Sequence, residues 1–145
     1  MKKIIKNLKF KNIRITPQRL EIINFLETNP IHPSAFDIFI EVRKKLSAIS
    51  LATVYNTLDK LQEEGEIIKL QMANSNKAKY EYNLNDHSHF VCNECDKIYD
   101  VWNDIKEKQD IDGHLIQSEK IYYQGVCKNC LSSNGNKKTY KKRRN

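Results

Sequence analysis

Glycine and proline are scarce, four and three in 145 residues, which excludes collagen-like, linker-rich and wholly disordered chains. No apolar run approaches the roughly 18 residues of a membrane span. The opening Met1-Lys2-Lys3-Ile4-Ile5-Lys6 lacks the apolar core of a secretory signal, so the expected compartment is the cytoplasm. Cysteine is missing from the first 91 residues and acidic side chains from the first 20. What remains, 39% hydrophobic and 30% charged, is enough for one compact domain or two small ones and too little for a large multi-domain enzyme.

The net charge of +7 is unevenly spread. Residues 1–20 carry seven basic groups, among them Lys2, Lys3, Arg14 and Arg19, and residues 137–145 carry six more, from Lys137 to Arg144. The stretch between them is acidic by six charges. Basic ends on an acidic body suggest an edge that faces a polyanion and a body that holds cations. The Lys/Arg tail has a plainer reading as a solvated, disordered terminus.

The first half is a series of amphipathic helices with visible ends. Ile4, Ile5 and Leu8 mark a short basic helix. Thr16 followed by Pro17 is an N-cap with proline at the first helical position, and Leu20, Ile22, Ile23 and Leu26 supply an apolar face until Asn29 and Pro30. Ser34 with Asp37 approximates a capping box for a helix carrying Ala35, Ile38, Phe39, Val42 and Leu46. Ser50 caps a fourth helix, with Leu51, Val54, Leu58 and Leu61 as its seam and Gly65 as its stop. The period then changes. Residues 67–72 and 78–83, joined through Asn74, Ser75 and Asn76, read as a β-hairpin. Helices followed by a hairpin predict a winged helix-turn-helix over residues 1–83, with 50–64 as recognition helix. Its outward face offers Thr53, Tyr55, Asn56, Asp59 and Lys60 to phosphates and base edges.

Residues 84–133 are expected to form a second, small α/β domain, with extended runs at 87–92, 98–101 and 114–124 and a helix over 103–111; residues 134–145 are the basic tail. So small a core calls for metal, a partner or both. All four cysteines lie here as two C-x-x-C pairs, Cys92/Cys95 and Cys127/Cys130, separated by 31 residues. Four thiolates in two such knuckles suit one tetrahedral Zn²⁺. Disulfides have no secretory context here, and a redox C-x-x-C needs no second pair. His87 and His89, two apart on an extended run, point to one face and can share an ion. Asp100, Glu81 and His32 are the candidates to complete their site, each also readable as an ordinary turn or surface residue; His114 is a structural or peripheral histidine. Imidazole and carboxylate without sulfur suit Fe²⁺ or Mn²⁺, with Zn²⁺ also possible.

Thr16-Pro17-Gln18-Arg19, His32-Pro33-Ser34-Ala35, Ser50-Leu51-Ala52-Thr53-Val54-Tyr55-Asn56, His87-Ser88-His89 with Cys92-Asn93-Glu94-Cys95, Lys97-Ile98-Tyr99-Asp100 and Cys127-Lys128-Asn129-Cys130 occur in an order that resembles the ferric uptake regulator family. The peroxide-sensing repressor branch is the nearest match. The resemblance implies a homodimer that binds an A·T-rich inverted repeat in double-stranded DNA when metallated, through an N-terminal winged helix and a C-terminal dimerisation domain. It makes Cys92, Cys95, Cys127 and Cys130 the structural zinc site and His32, Glu81, His87, His89 and Asp100 the regulatory site. Arg19 and Tyr55 become DNA contacts, and His32 and His87 become the residues oxidised when Fe²⁺ meets H₂O₂. Asp100 and Asn56 match this branch. Two positions depart from it: Glu81 stands where the branch has Asp, and Asp96 where it has Gly, a place that needs an unusual backbone.

Three functions are compatible with these residues. The first is a peroxide-responsive, metal-dependent repressor, and the second a reversible iron- or zinc-responsive uptake regulator of the same family. The third, a small metallohydrolase using His87, His89 and a carboxylate to activate water, has no evident general base. The expectation is therefore a regulator and not an enzyme, with no small-molecule substrate beyond metal and H₂O₂.

Overall fold

The computed structural model describes residues 2–29, 32–71, 77–102, 110–117 and 119–133, which divide into two compact units, Met1–Asn85 and Asp86–Asn145. Among the described residues no helix is long and apolar enough to cross a membrane.

The first unit holds four helices and a small sheet: α1 (Lys2–Phe10), α2 (Pro17–Thr28), α3 (Ala35–Arg43), α4 (Leu51–Glu63), β1 (Ile68–Leu70) and β2 (Lys79–Glu81). The short α1 is fixed by packing rather than propensity, since Ile4 and Leu8 are fully inside the core. It ends at Asn12, whose φ of 57° lets Ile13 N–H reach the Leu8 carbonyl at 2.8 Å and Asn12 N–H the Lys9 carbonyl at 3.0 Å. Gly65, φ 71°, closes α4 the same way, with Glu66 N–H on Leu61 and Gly65 N–H on Gln62. The N-termini are built as the sequence indicates. Thr16 accepts from Arg19 N–H, Ser50 accepts from Thr53 N–H, and Ser34 and Asp37 form a reciprocal capping box.

One core joins these elements. Ile22, Ile23 and Leu26 of α2, Ala35, Ile38 and Val42 of α3, and Val54, Leu58 and Leu61 of α4 meet Ile4, Leu8, Ile49, Ile67 and Tyr80. Burying each large aliphatic side chain stabilises by about 1.5–3 kcal/mol before conformational entropy is set against it. The expected faces need small corrections. Leu20, Leu51, Phe39 and Leu46 are only partly covered, and Leu46 lies beyond the end of α3, whereas Ile22, Ile23 and Leu26 are buried as expected. The wing strands pair antiparallel, Ile68 with Glu81 through Leu70 with Lys79. A bridge from Ser34 to Lys79 and the Tyr80 N–H bond to the Pro33 carbonyl, 2.9 Å, tie them to the start of α3. The connecting turn at Asn74, Ser75 and Asn76, like Pro30, lies outside the described residues.

The second unit is a three-stranded sheet in the order β4-β3-β7, a two-stranded pair β5-β6 and a terminal helix. Its elements are β3 (Ser88–Cys92), β4 (Ile98–Val101), β5 (Asp110–Ile111), β6 (His114–Leu115), β7 (Tyr122–Gly125) and α5 (Lys128–Ser133). β3 is central, antiparallel to β4 and parallel to β7. Two expectations are corrected. Of the helix expected over 103–111, residues 103–109 lie outside the described residues, and Asp110–Ile111 are strand. Asp112-Gly113, both at positive φ, turn the chain into β6 as Asp-Gly turns do in tight hairpins. The run expected over 114–124 is accordingly two short strands with a loop between them. Among the described residues, the buried apolar side chains of this unit are Val91, Cys92 and Cys127, too few to hold so small a fold without a further device.

Candidate metal centres and nucleic-acid face

The parallel pairing of β3 with β7 resolves the long spacing between the cysteine pairs. Cys92 ends β3 opposite Gly125 of β7, so the chain emerging from β7 delivers Cys127 to the first knuckle. That knuckle is shaped by its backbone: Asn93 N–H donates to the Gly125 carbonyl at 2.7 Å and Asp96 N–H to the Cys92 carbonyl at 2.9 Å, with Asp96 at φ 56°. Cys130 stands in α5, one turn on from Cys127. All four cysteines are free thiols, and one sulfur from each lies within 4.8 Å of the others. Cys95 Sγ and Cys127 Sγ are 3.9 Å apart. A zinc ion with bonds of about 2.3 Å sets its tetrahedral sulfurs about 3.8 Å apart, so the donors fit Zn²⁺ in chemistry and in spacing.

The thiols are electrostatically unequal. The Tyr99 hydroxyl beside Cys127, helped by backbone donors, holds that thiol down to about 6. The neighbouring Cys127 pushes Tyr99 up to about 12 and Cys130 up to about 12. Negative charge therefore settles first on Cys127. Cys127 N–H also donates to Cys92 Sγ at 3.3 Å, an interaction that favours a thiolate there.

The nitrogen and oxygen donors are arranged by strand period. His89 of β3 and His87, the residue just before that strand, are two apart and share one face, their rings in edge contact at 4.6 Å between centroids. Asp100 of β4 lies opposite His89 in the ladder. Its Oδ1 is 3.4 Å from His87 Nε2 and 4.0 Å from His89 Nε2. The first unit carries a second, smaller group: His32 Nε2 is 3.8 Å from Glu81 Oε1, and both side chains are buried, at 6% and 4% exposure. Each set holds imidazole and carboxylate without sulfur, which suits Fe²⁺, Mn²⁺ or Zn²⁺. His114 is exposed on β6.

The nucleic-acid candidates fare unequally. Tyr55 and Asn56 stand exposed on α4. The Thr53 hydroxyl is shared with Ser50 at 2.8 Å in the cap. Lys60 is engaged by Glu64 at 2.9 Å and Glu63 at 3.2 Å. Glu64 is in turn held by Lys11, 2.9 Å away, which joins the ends of α1 and α4. Arg19 donates from Nη1 to the Arg14 carbonyl, so part of its guanidinium serves the loop before α2. Sequence reasoning passed over three aromatic residues that frame the metal-binding groups: Tyr99 beside Cys127, Trp102 against His87, and Tyr122 against His89. The signal was present, since Trp102 stands two residues after Asp100, as His89 stands two after His87.

Residues 10–122 match the Ferric uptake regulator family. The chain is 30% identical over 135 residues to a peroxide operon regulator of Bacillus subtilis (strain 168), covering 90% of this chain and 92% of that one. Among solved structures, it is similar to the Campylobacter jejuni peroxide stress regulator, with 29% identity, TM-score 0.62, and coverage of 90% and 98%. The Helicobacter pylori ferric uptake regulator, described as having three functional metal binding sites, shares the fold at 22% identity, TM-score 0.71, and 90% coverage of each chain.

Proposed function

Since the chain belongs to the ferric uptake regulator family, we propose that it is a metal-dependent transcriptional repressor that senses peroxide by oxidation of its own ligand histidines. The observation that carries this reading is the placement of Asp100 within 3.4 and 4.0 Å of two imidazoles on the adjacent strand, in a unit that also holds a separate thiol cluster. One unit thus offers two sites of opposite chemical character. The soft site fits structural Zn²⁺ at Cys92, Cys95, Cys127 and Cys130, and the harder one serves regulation.

His32 and Glu81 join His87, His89 and Asp100 as the regulatory ligand set. Occupancy of this set would control how α4 is presented to DNA. Bound Fe²⁺ would activate H₂O₂ beside the imidazoles, which supply the two electrons that reduce it. His32 and His87 take up oxygen, and a ring whose carbon has become a carbonyl is a poorer donor. The set loosens, and Tyr55, Asn56 and Arg19 lose their hold on DNA. Lys60 first exchanges its two carboxylates for phosphate. The protein works as a homodimer on an A·T-rich inverted repeat, in the cytoplasm, and turns over no substrate as an enzyme would.

Glu81 favours a second reading. Its extra methylene, at a position where the peroxide-sensing branch has Asp, changes carboxylate reach and with it metal preference, which would leave a reversible iron- or zinc-responsive regulator. One experiment separates the two. Zinc-containing protein is loaded anaerobically with Fe²⁺ or Mn²⁺, bound to a duplex bearing an A·T-rich inverted repeat, and given stoichiometric H₂O₂. Release of DNA by the Fe²⁺ form alone, with one added oxygen on the peptides of His32 or His87, is the expected result. Intact histidines on retained DNA would transfer the protein to the reversible class.

A further inference from the structure

Trp102 is the one tryptophan of the chain, and the sheet register explains where it stands. Ser88 pairs with Val101 and His89 with Asp100, and His87 and Trp102 stand one residue beyond the Ser88–Val101 pair, at adjoining ends of β3 and β4. The period of two puts Trp102 on the face shared by Asp100, His87 and His89. The indole is stacked on the His87 imidazole, 4.7 Å between centroids and 25° between planes. On the other flank His89 is stacked on Tyr122 at 5.7 Å and 23°. With the His87–His89 contact at 4.6 Å, the rings form a row: Trp102, His87, His89, Tyr122. Burial does not account for the indole, which is 61% exposed and so contributes little of the hydrophobic stabilisation its size could give.

We propose that Trp102 is a sacrificial oxidation target, competing with His87 for the oxidising power generated at the regulatory metal and so raising the peroxide dose at which DNA is released. The inference rests on the peroxide-sensing reading above. An indole is more electron-rich than an imidazole and yields electrons more readily. Stacked on the ring marked for oxidation, it stands where a reactive oxygen species meets it as soon as it meets His87. The balance is the same for either ring. The O–O bond of H₂O₂ breaks, one oxygen enters a ring C–H bond, and the other leaves as water. The ring loses two electrons and the peroxide gains two, so bound Fe²⁺ would act as a catalyst and not be consumed. When the ring is Trp102, the ligand set stays whole and repression persists. When it is His87, a ligand is altered and repression ends.

The test titrates the zinc- and Fe²⁺-loaded full chain with substoichiometric H₂O₂ and follows peptide masses. Lys97 lets trypsin place His87 and Trp102 on separate peptides. The expected result is an added oxygen on the Trp102 peptide at doses that leave the His87 peptide intact. In Trp102→Phe, oxidation of the His87 peptide should appear at those same low doses, where the wild type shows none. The affinity for Mn²⁺, measured by calorimetry, should stay unchanged. Oxidation of His87 in the wild type with none on Trp102 would overturn the proposal. So would an unchanged His87 yield in the variant, or weakened Mn²⁺ binding, which would make Trp102 a structural prop. Oxidation of neither ring would instead remove the peroxide-sensing reading on which the proposal stands.

Discussion

Asp96 shows how much a single position can disclose. Its φ of 56° lies in the left-handed region that glycine enters freely, that Asp tolerates, and that β-branched residues resist. The knuckle requires that conformation because the Asp96 N–H turns back to the Cys92 carbonyl at 2.9 Å. Asp96→Gly should therefore leave denaturant stability unchanged or raise it by up to about 1 kcal/mol, while Asp96→Val should lower it by about 1–2 kcal/mol. Urea melts of the zinc-loaded forms check both, and a stable valine variant would show that the turn is not fixed by φ. Residues such as Asp96 and the caps Thr16, Ser34 and Ser50 were legible because their chemistry is local. The pairing of Lys60 with Glu63 and Glu64, and the anchoring of Glu64 by Lys11 from α1, were not. The second depends on a contact between residues 53 apart, which no local pattern encodes.

Among the elements, β3 and β7 determine the chemistry of the zinc cluster, since their parallel register assembles cysteines that are distant in sequence. The thiol of Cys127, held down to about 6 by the Tyr99 hydroxyl and backbone donors, is already ionised near neutral pH. Its folded value is lowered, so the thiolate persists above about 6 and disappears as pH falls through that value. Zinc binding must then displace one more proton. The apparent zinc dissociation constant should rise more steeply with falling pH below about 6, by an extra factor of about ten per pH unit. Chelator competition between pH 5 and 8 measures this, and Tyr99→Phe should move the break towards neutral pH. The absence of any break would mean that Cys127 is not the first thiol to ionise. The helices were legible because a 3.6 period repeats several times in each. The strands of the second unit have two to five residues, too few for a period to establish itself. The helical expectation over 103–111 ran into Asp110–Ile111, which are strand β5, for this reason.

For the whole molecule, charge distribution matters more than any one side chain. The six basic groups of residues 137–145 and the seven of residues 1–20 add attraction to DNA that is independent of its sequence. Truncation after Ser133 should flatten the dependence of log affinity on log salt by about 0.9 for each phosphate that the tail neutralises, with sequence preference unchanged. Tyr55→Ala should do the reverse, weakening specific binding by about 1–3 kcal/mol, as removal of a base-reading group does, with little change in slope. Fluorescence anisotropy over a salt series separates the two, and equal slopes for the truncated and full chains would leave the tail without an electrostatic role. The two-part architecture was legible from the position of the cysteines and the change of period after Gly65. What the parts share was not. His89 and Cys92 sit on one short strand, about 10 Å apart at the usual rise per residue, in a unit whose buried apolar side chains are few. With the ligand sets proposed above, the same strand would present an imidazole for regulation and have its end secured by a thiol ligand. A newly made chain would then acquire its ions in order: zinc first, as the condition for an ordered strand, and only afterwards the metal that gives it a signal to report. Immature chains would be silent, and a shortage of one metal would be felt as deafness to another.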